Sequence, residues 1–178
     1  GKTMTLCNLG IAMAQNQKRV LLVDSDMRKP RLHEVFKKEG SVGLSNFLSG
    51  QASLKDVIQE TEVKNLYLVT GGVIPPDPSE LLASHKTKEF VAKAKEDFDF
   101  ILFDSPPVTM LTDAVIISNM VDGTIIVIES GKTSRRILAR IHRLFEDTKS
   151  RVIGVLLNKV SLNAANQYYY SYYYGKPT

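Results

Sequence analysis

Five short, unbroken apolar runs recur along the chain, at residues 19–24, 66–70, 100–104, 124–129 and 152–158, each rich in Val, Ile, Leu or Phe. Apolar residues that run on rather than alternate mark strands covered on both faces. Several of the intervals carry helical periodicity instead. Leu6, Leu9, Ala12 and Met13 form a stripe near the start, residues 86–96 and 113–120 follow, and in 134–147 one face gathers Ile137, Leu138, Ile141, Leu144 and Phe145. Alternation of this kind predicts an α/β fold, a mostly parallel sheet with helices on both faces in three layers. The length of 178 residues suits one such domain. We place it at 1–160, with a tail at 161–178 where the composition changes abruptly. Residues 40–78 are turn-rich, with short helical pieces at 44–48 and 54–58.

Composition removes several classes. No apolar run approaches the ~20 residues of a membrane-spanning helix. The formal charge of +4 is mild, and the basic residues are mixed with acidic ones except near Arg28–Arg31 and Arg135–Arg143, so no nucleic-acid partner is expected. A single cysteine, Cys7, excludes a disulfide framework and is read as a core residue.

The chemistry starts at the first residue. Gly1-Lys2-Thr3 matches the last three positions of G-x-x-x-x-G-K-[ST], a loop whose backbone amides and lysine cradle phosphates while its hydroxyl meets magnesium. The loop's first glycine and the strand before it are expected ahead of Gly1. Three residues are a weak motif, so the strand ends must support it. In a doubly wound sheet, ligands bind beyond the carboxyl ends of the strands. Two runs end there in carboxylates, one in Asp24-Ser25-Asp26-Met27-Arg28, the other in Asp104-Ser105-Pro106-Pro107. An aspartate at a strand end can simply cap the next helix. Two of them behind a Gly-Lys-Thr helix start instead supply what phosphoryl transfer needs: a lysine for the phosphates, a hydroxyl and carboxylate for magnesium, and a carboxylate for the acceptor.

On these residues the chain resembles the bacterial tyrosine kinases of capsule and exopolysaccharide systems, P-loop enzymes unrelated in fold to eukaryotic protein kinases. Gly1-Lys2-Thr3 is similar to the end of Walker A, Leu21-Leu22-Val23-Asp24-Ser25-Asp26-Met27-Arg28 to the family's Walker A′, and Ile101-Leu102-Phe103-Asp104-Ser105-Pro106-Pro107 to Walker B. Gly43-Leu44-Ser45 through Gly50, Ile74-Pro75-Pro76-Asp77-Pro78-Ser79-Glu80-Leu81-Leu82, and Thr112-Asp113-Ala114 extend the likeness over essentially the whole chain. The resemblance implies ATP and Mg2+ as cofactors. It implies Lys2, Asp24, Asp26 and Asp104 as catalytic residues, with Asp24 the base for the incoming tyrosine. Nucleotide contacts would come from Gly1, Lys2, Thr3 and Arg28, and magnesium would be held by Thr3, Asp26 and Asp104. Asn158 at the last strand end is either an adenine contact, as often in this superfamily, or a simple turn. The resemblance further implies a membrane adaptor or polysaccharide co-polymerase domain, fused or separate, a homo-oligomer with a ring as one candidate form, a cognate tyrosine phosphatase, and a place at the cytoplasmic face of the membrane.

Six of the seven tyrosines fall within seven residues: Tyr168, Tyr169, Tyr170, Tyr172, Tyr173 and Tyr174. Flanking Asn163, Asn166, Gln167, Gly175 and Pro177 favour an exposed, irregular segment. An adhesive aromatic patch is one reading. The resemblance gives another, in which these tyrosines are autophosphorylated by a neighbouring subunit. Two competing functions remain at this level, a partitioning-type P-loop ATPase switch and a non-catalytic regulator of polysaccharide export. His33, His85 and His142 lack ligand spacing, and Arg135, Arg136, Arg140 and Arg143 are read as a solvated helix face.

Overall fold

The structure, a computed structural model, describes residues 1–108 and 112–160. A long first helix, α1 (Lys2–Gln15), leads into β1 (Val20–Asp24), then the short helices α2 (Leu32–Phe36), α3 (Leu44–Leu48) and α4 (Leu54–Val57). Next come β2 (Ile58–Glu60), β3 (Leu66–Val69), α5 (Pro78–Ala83), α6 (His85–Asp97) and β4 (Phe100–Asp104). The remainder is α7 (Asp113–Ser118), β5 (Thr124–Glu129), α8 (Arg135–Asp147) and β6 (Val152–Asn158).

β1 sits at the centre of a four-stranded sheet of order β2-β3-β1-β4, parallel to β3 and to β4, while β2 pairs antiparallel with β3. Every residue of β1 is buried, and its two faces serve two cores. Leu21 and Val23 join Met27, Leu44, Phe47, Phe90 and Ile117 on one side. Val20 and Leu22 join Cys7, Ala14, Leu32, Leu66 and Leu68 on the other. This is the two-sided burial that the unbroken apolar runs predict. Gly10 of α1 faces the sheet, and a Cβ there would lie 2.7 Å from Leu22 Cδ2.

The expected single sheet differs in one respect. β5 and β6 form a separate parallel pair, not hydrogen-bonded to β4. α8 buries Ile141 and Phe145, which share the wall of a cleft with residues of β5. Ile153, Val155 and Leu157, at alternate positions of β6, remain more than half exposed. Among the described residues no helix is long and apolar enough to cross a membrane.

Candidate functional site

Register fixes the heart of the site. β1 and β4 are parallel and in step, so Asp24 and Asp104, the last residue of each strand, are direct partners across the pair. Both carboxylates are buried. The loops beyond them are tied together as well, since the backbone amide of Ser25 donates to the carbonyl of Asp104 at 2.9 Å and the Ser25 hydroxyl donates to the same oxygen.

α1 begins against this edge. Its 14 residues point their N-terminus at the strand ends, and the first-turn amides ahead of Thr5 have no partner within the helix, so they present donors and a partial positive charge to an anion. The Thr3 hydroxyl donates to Asp104 Oδ2 at 2.5 Å, across 101 residues of sequence. Burial pushes the Asp104 carboxyl upward, opposed by that hydrogen bond and by the charge of Lys2. Gly1 rests against the last strand, where a Cβ would come within 2.9 Å of Asn158 Nδ2. Gly1, Lys2, Ser105, Pro107 and Asn158 share the wall of a cleft of about 400 Å³ with residues of β5.

The two aspartates of the first loop differ. Asp24 is closed off from solvent, and its Oδ2 accepts the amides of Arg31 at 2.7 Å and Leu32 at 2.8 Å, which clasps the loop onto β1. Its Oδ1 is buried with no hydrogen-bond partner among the described residues. Burial pushes this carboxyl up to about 6; the Leu32 and Arg31 amides oppose the rise, and the nearby Asp104 and Asp26 add to it. Asp26 is partly exposed, and its Oδ1 accepts the amide of Lys29 at 3.1 Å.

Arg28, expected from the resemblance to contact nucleotide, is bonded to protein groups. Its guanidinium is turned to other partners: Nε donates to Asp113 Oδ2 at 3.0 Å and Nη2 donates to Ser79 Oγ at 3.1 Å. Ser79 in turn donates to Asp113 Oδ1. Ser79 and Asp113 stand in family-like stretches, but no local spacing links either of them to Arg28. The six tail tyrosines lie outside the described residues. Cys7 is a core residue as read, its thiol pushed up to about 11, first by burial. Arg136, Arg140 and Arg143 line a second cleft of about 480 Å³ along α8.

Thr3, Asp26 and Asp104 are hard oxygen donors of the sort magnesium takes, one or two carboxylates alongside water and phosphate. Among the described residues no group of three or more His, Cys, Asp or Glu could hold a metal on protein ligands alone. The Thr3–Asp104 contact, the partly exposed Asp26 carboxylate and the first-turn amides of α1 fit a magnesium-bound nucleotide.

Parallel strands ending in carboxylates around a Gly-Lys-Thr helix start define a P-loop nucleotide-binding protein, and a family described as an AAA domain matches residues 1–158. The tyrosine-protein kinase YwqD of Bacillus subtilis (strain 168) is 38% identical over 170 residues, covering 96% of this chain and 72% of that protein. The tyrosine-protein kinase wzc of Salmonella typhi is 35% identical over 173 residues, 97% of this chain but 24% of that longer protein. Among solved structures, the VpsO kinase domain superposes with a TM-score of 0.85 at 34% identity, covering 90% of this chain and 79% of the other. The chain belongs to the bacterial tyrosine-protein kinases.

Proposed function

We propose that this chain is an autophosphorylating protein-tyrosine kinase that moves the γ-phosphoryl group of ATP to tyrosines of its own C-terminal cluster, and so regulates capsular or exopolysaccharide synthesis and export. The observation that carries the reading is the Thr3 hydroxyl held 2.5 Å from Asp104, with Asp24 on the adjoining strand end. The amides of α1 and the Lys2 ammonium hold the phosphates, with Gly1 leaving room for them beside Asn158. Thr3, Asp104 and Asp26 would hold magnesium, which would supply positive charge to offset that of the phosphates.

In the transfer, the bond from the γ-phosphorus to the ADP oxygen breaks as a bond to the tyrosine oxygen forms, and the phenolic proton passes to Asp24. A free tyrosine titrates near ~10, so the base mainly orients the hydroxyl and takes its proton late. Asp24 suits this task because Oδ1 lacks a partner and burial raises the carboxyl to about 6. We further propose a membrane adaptor or co-polymerase domain, fused or separate, a homo-oligomer, an opposing tyrosine phosphatase, and action at the cytoplasmic face of the membrane.

The test uses protein carrying the whole G-x-x-x-x-G-K-T loop. Lys2→Met and Asp104→Asn should each abolish tyrosine phosphorylation, by at least about a hundredfold, while unfolding transitions stay cooperative. Activity retained in either folded variant removes the assignment. Asp26→Asn should also weaken magnesium binding to the nucleotide complex, whereas Asp24→Asn should spare ATP and magnesium affinity and lose transfer; calorimetry with a non-hydrolysable ATP analogue separates the two.

A further inference from the structure

The turn that carries Asp26 is short and held from two directions. The Lys29 amide donates to both the Asp26 carbonyl and Oδ1, each at 3.1 Å, closing a four-residue turn. Met27, inside that turn, is sunk into the core beneath β1. Arg28, next along, reaches the first turns of two other helices, Ser79 in α5 and Asp113 in α7, whose Leu82 and Ile117 share the core cluster of Met27. Asp113 is buried to a side-chain exposure of 1% against 37% for Arg28, so the guanidinium closes over a carboxylate whose other side-chain partner among the described residues is Ser79. A planar guanidinium can bridge two acceptors in a fixed geometry, which an ammonium on a flexible stem cannot do.

We infer that Arg28 is a positioning residue for phosphoryl transfer: anchored by Ser79 and Asp113, it fixes the turn that aims the Asp26 carboxylate at the magnesium nucleotide. The inference rests on the kinase reading, in which Asp26 helps hold magnesium, and it replaces a direct nucleotide contact by Arg28. Arg28 acts through backbone geometry. Met27 sets the depth of the turn and Arg28 its rotation, leaving the Asp26 carboxylate little freedom beyond its bond to Lys29. The same anchor ties the Walker A′ loop to the Pro-Pro-Asp-Pro-Ser stretch, so the start of α5 and the metal-facing loop move as one body.

The experiment uses Arg28→Lys, which keeps the charge but loses the fork, and Ser79→Ala, which keeps the ion pair but loses the bridge. In protein with the complete loop, magnesium affinity of the ADP complex is measured by calorimetry, and kcat is measured at saturating ATP with magnesium titrated. For Arg28→Lys, magnesium should bind about tenfold more weakly and kcat should fall at least about tenfold at limiting magnesium. ADP affinity without magnesium should stay within about twofold. Ser79→Ala should move in the same direction by a smaller factor, and it carries the test alone if Arg28→Lys does not fold. An ADP affinity that falls about tenfold without magnesium makes Arg28 a nucleotide ligand and overturns the inference. Unchanged magnesium affinity in the folded variants makes the network structural only and overturns it too. If wild type transfers no phosphate to tyrosine, the kinase reading fails instead, and the calorimetric magnesium comparison still decides the role of Arg28.

Discussion

Asp24 sits under two opposed demands. A carboxylate with no exposure, one oxygen clasping two amides and the other unpartnered, is costly when ionised. Its folded value of about 6 lies above the ~3.9 of an unfolded aspartate. Below about pH 4 both states are protonated and the group costs nothing; between 4 and 6 the folded chain keeps a proton the unfolded chain has lost; above 6 the full penalty applies, on the order of 3 kcal/mol for roughly two pKa units. An asparagine in place of Asp24 would still accept the Arg31 and Leu32 amides through its carbonyl oxygen while carrying no charge. Asp24→Asn should therefore be more stable than wild type by roughly 1–3 kcal/mol at pH 7.5, with the gap closing toward pH 4, and should be inactive in transfer. Urea unfolding across that range gives the measurement, and equal midpoints at pH 7.5 would mean the carboxylate carries no burial penalty. A residue that lowers stability where an amide would raise it is the kind that function retains.

At the scale of elements, close packing puts different limits on two glycines. Gly43 opens α3 where its backbone meets the end of β3, and the amides of Leu44 and Ser45 donate to the carbonyls of Thr70 and Gly71 at 2.8 and 3.1 Å. A Cβ on Gly43 would sit 2.2 Å from the Thr70 carbonyl oxygen and 2.5 Å from the Gly72 nitrogen, both backbone atoms. At Gly10 the obstacle is the tip of Leu22, which can turn, and alanine regains about 1 kcal/mol of helix propensity. Gly43→Ala should cost about 3 kcal/mol or more and Gly10→Ala about 1 or less, read from equilibrium unfolding; a Gly10 variant as damaged as the Gly43 variant would contradict this. The same contrast governs what the sequence could reveal. Strands β1, β3, β4, β5 and β6 are legible as short continuous apolar runs, and helices α1, α6, α7 and α8 from apolar residues at helical spacing. α5 escapes a sequence reading although Asp77 caps it, accepting from the Glu80 amide, and Pro78 opens it, because the turn-rich composition around it masks those signals. The helical reading of 54–58 runs one residue too far, since Ile58 already belongs to β2. Lys2, Thr3, Asp24, Asp26 and Asp104 can be found because they stand at strand ends and a helix start. The partners of Arg28 cannot, being 51 and 85 residues away and joined only by tertiary structure.

For the molecule as a whole, the arithmetic of chain length bears on whose tyrosines each site modifies. The last strand ends at Asn158, beside Gly1 at the phosphate loop, so the tail leaves the domain close to its own active site. Ten residues separate Asn158 from Tyr168, an arm of at most roughly 35 Å. In one chain, tyrosines placed from 10 to 16 residues beyond the anchor would all have to loop back to one nearby carboxylate, each with a different closure geometry. A neighbouring molecule's tail has no such constraint and can present any of the six in turn. We expect such modification to limit itself. Six phosphotyrosines carry about −9 to −12 charges near neutral pH, against a formal +4 for the unmodified chain, and so much charge repels both itself and an acidic, nucleotide-filled site. We therefore expect transfer in trans, with the modified tail loosening the contact between copies. Mixing a Lys2→Met protein that keeps its tyrosines with an active protein whose six tail tyrosines are phenylalanine should label the Lys2→Met chain, and the complex should dissociate more readily in sedimentation as labelling proceeds. A Lys2→Met chain left unlabelled while wild type labels itself would mean that each molecule modifies only its own tail.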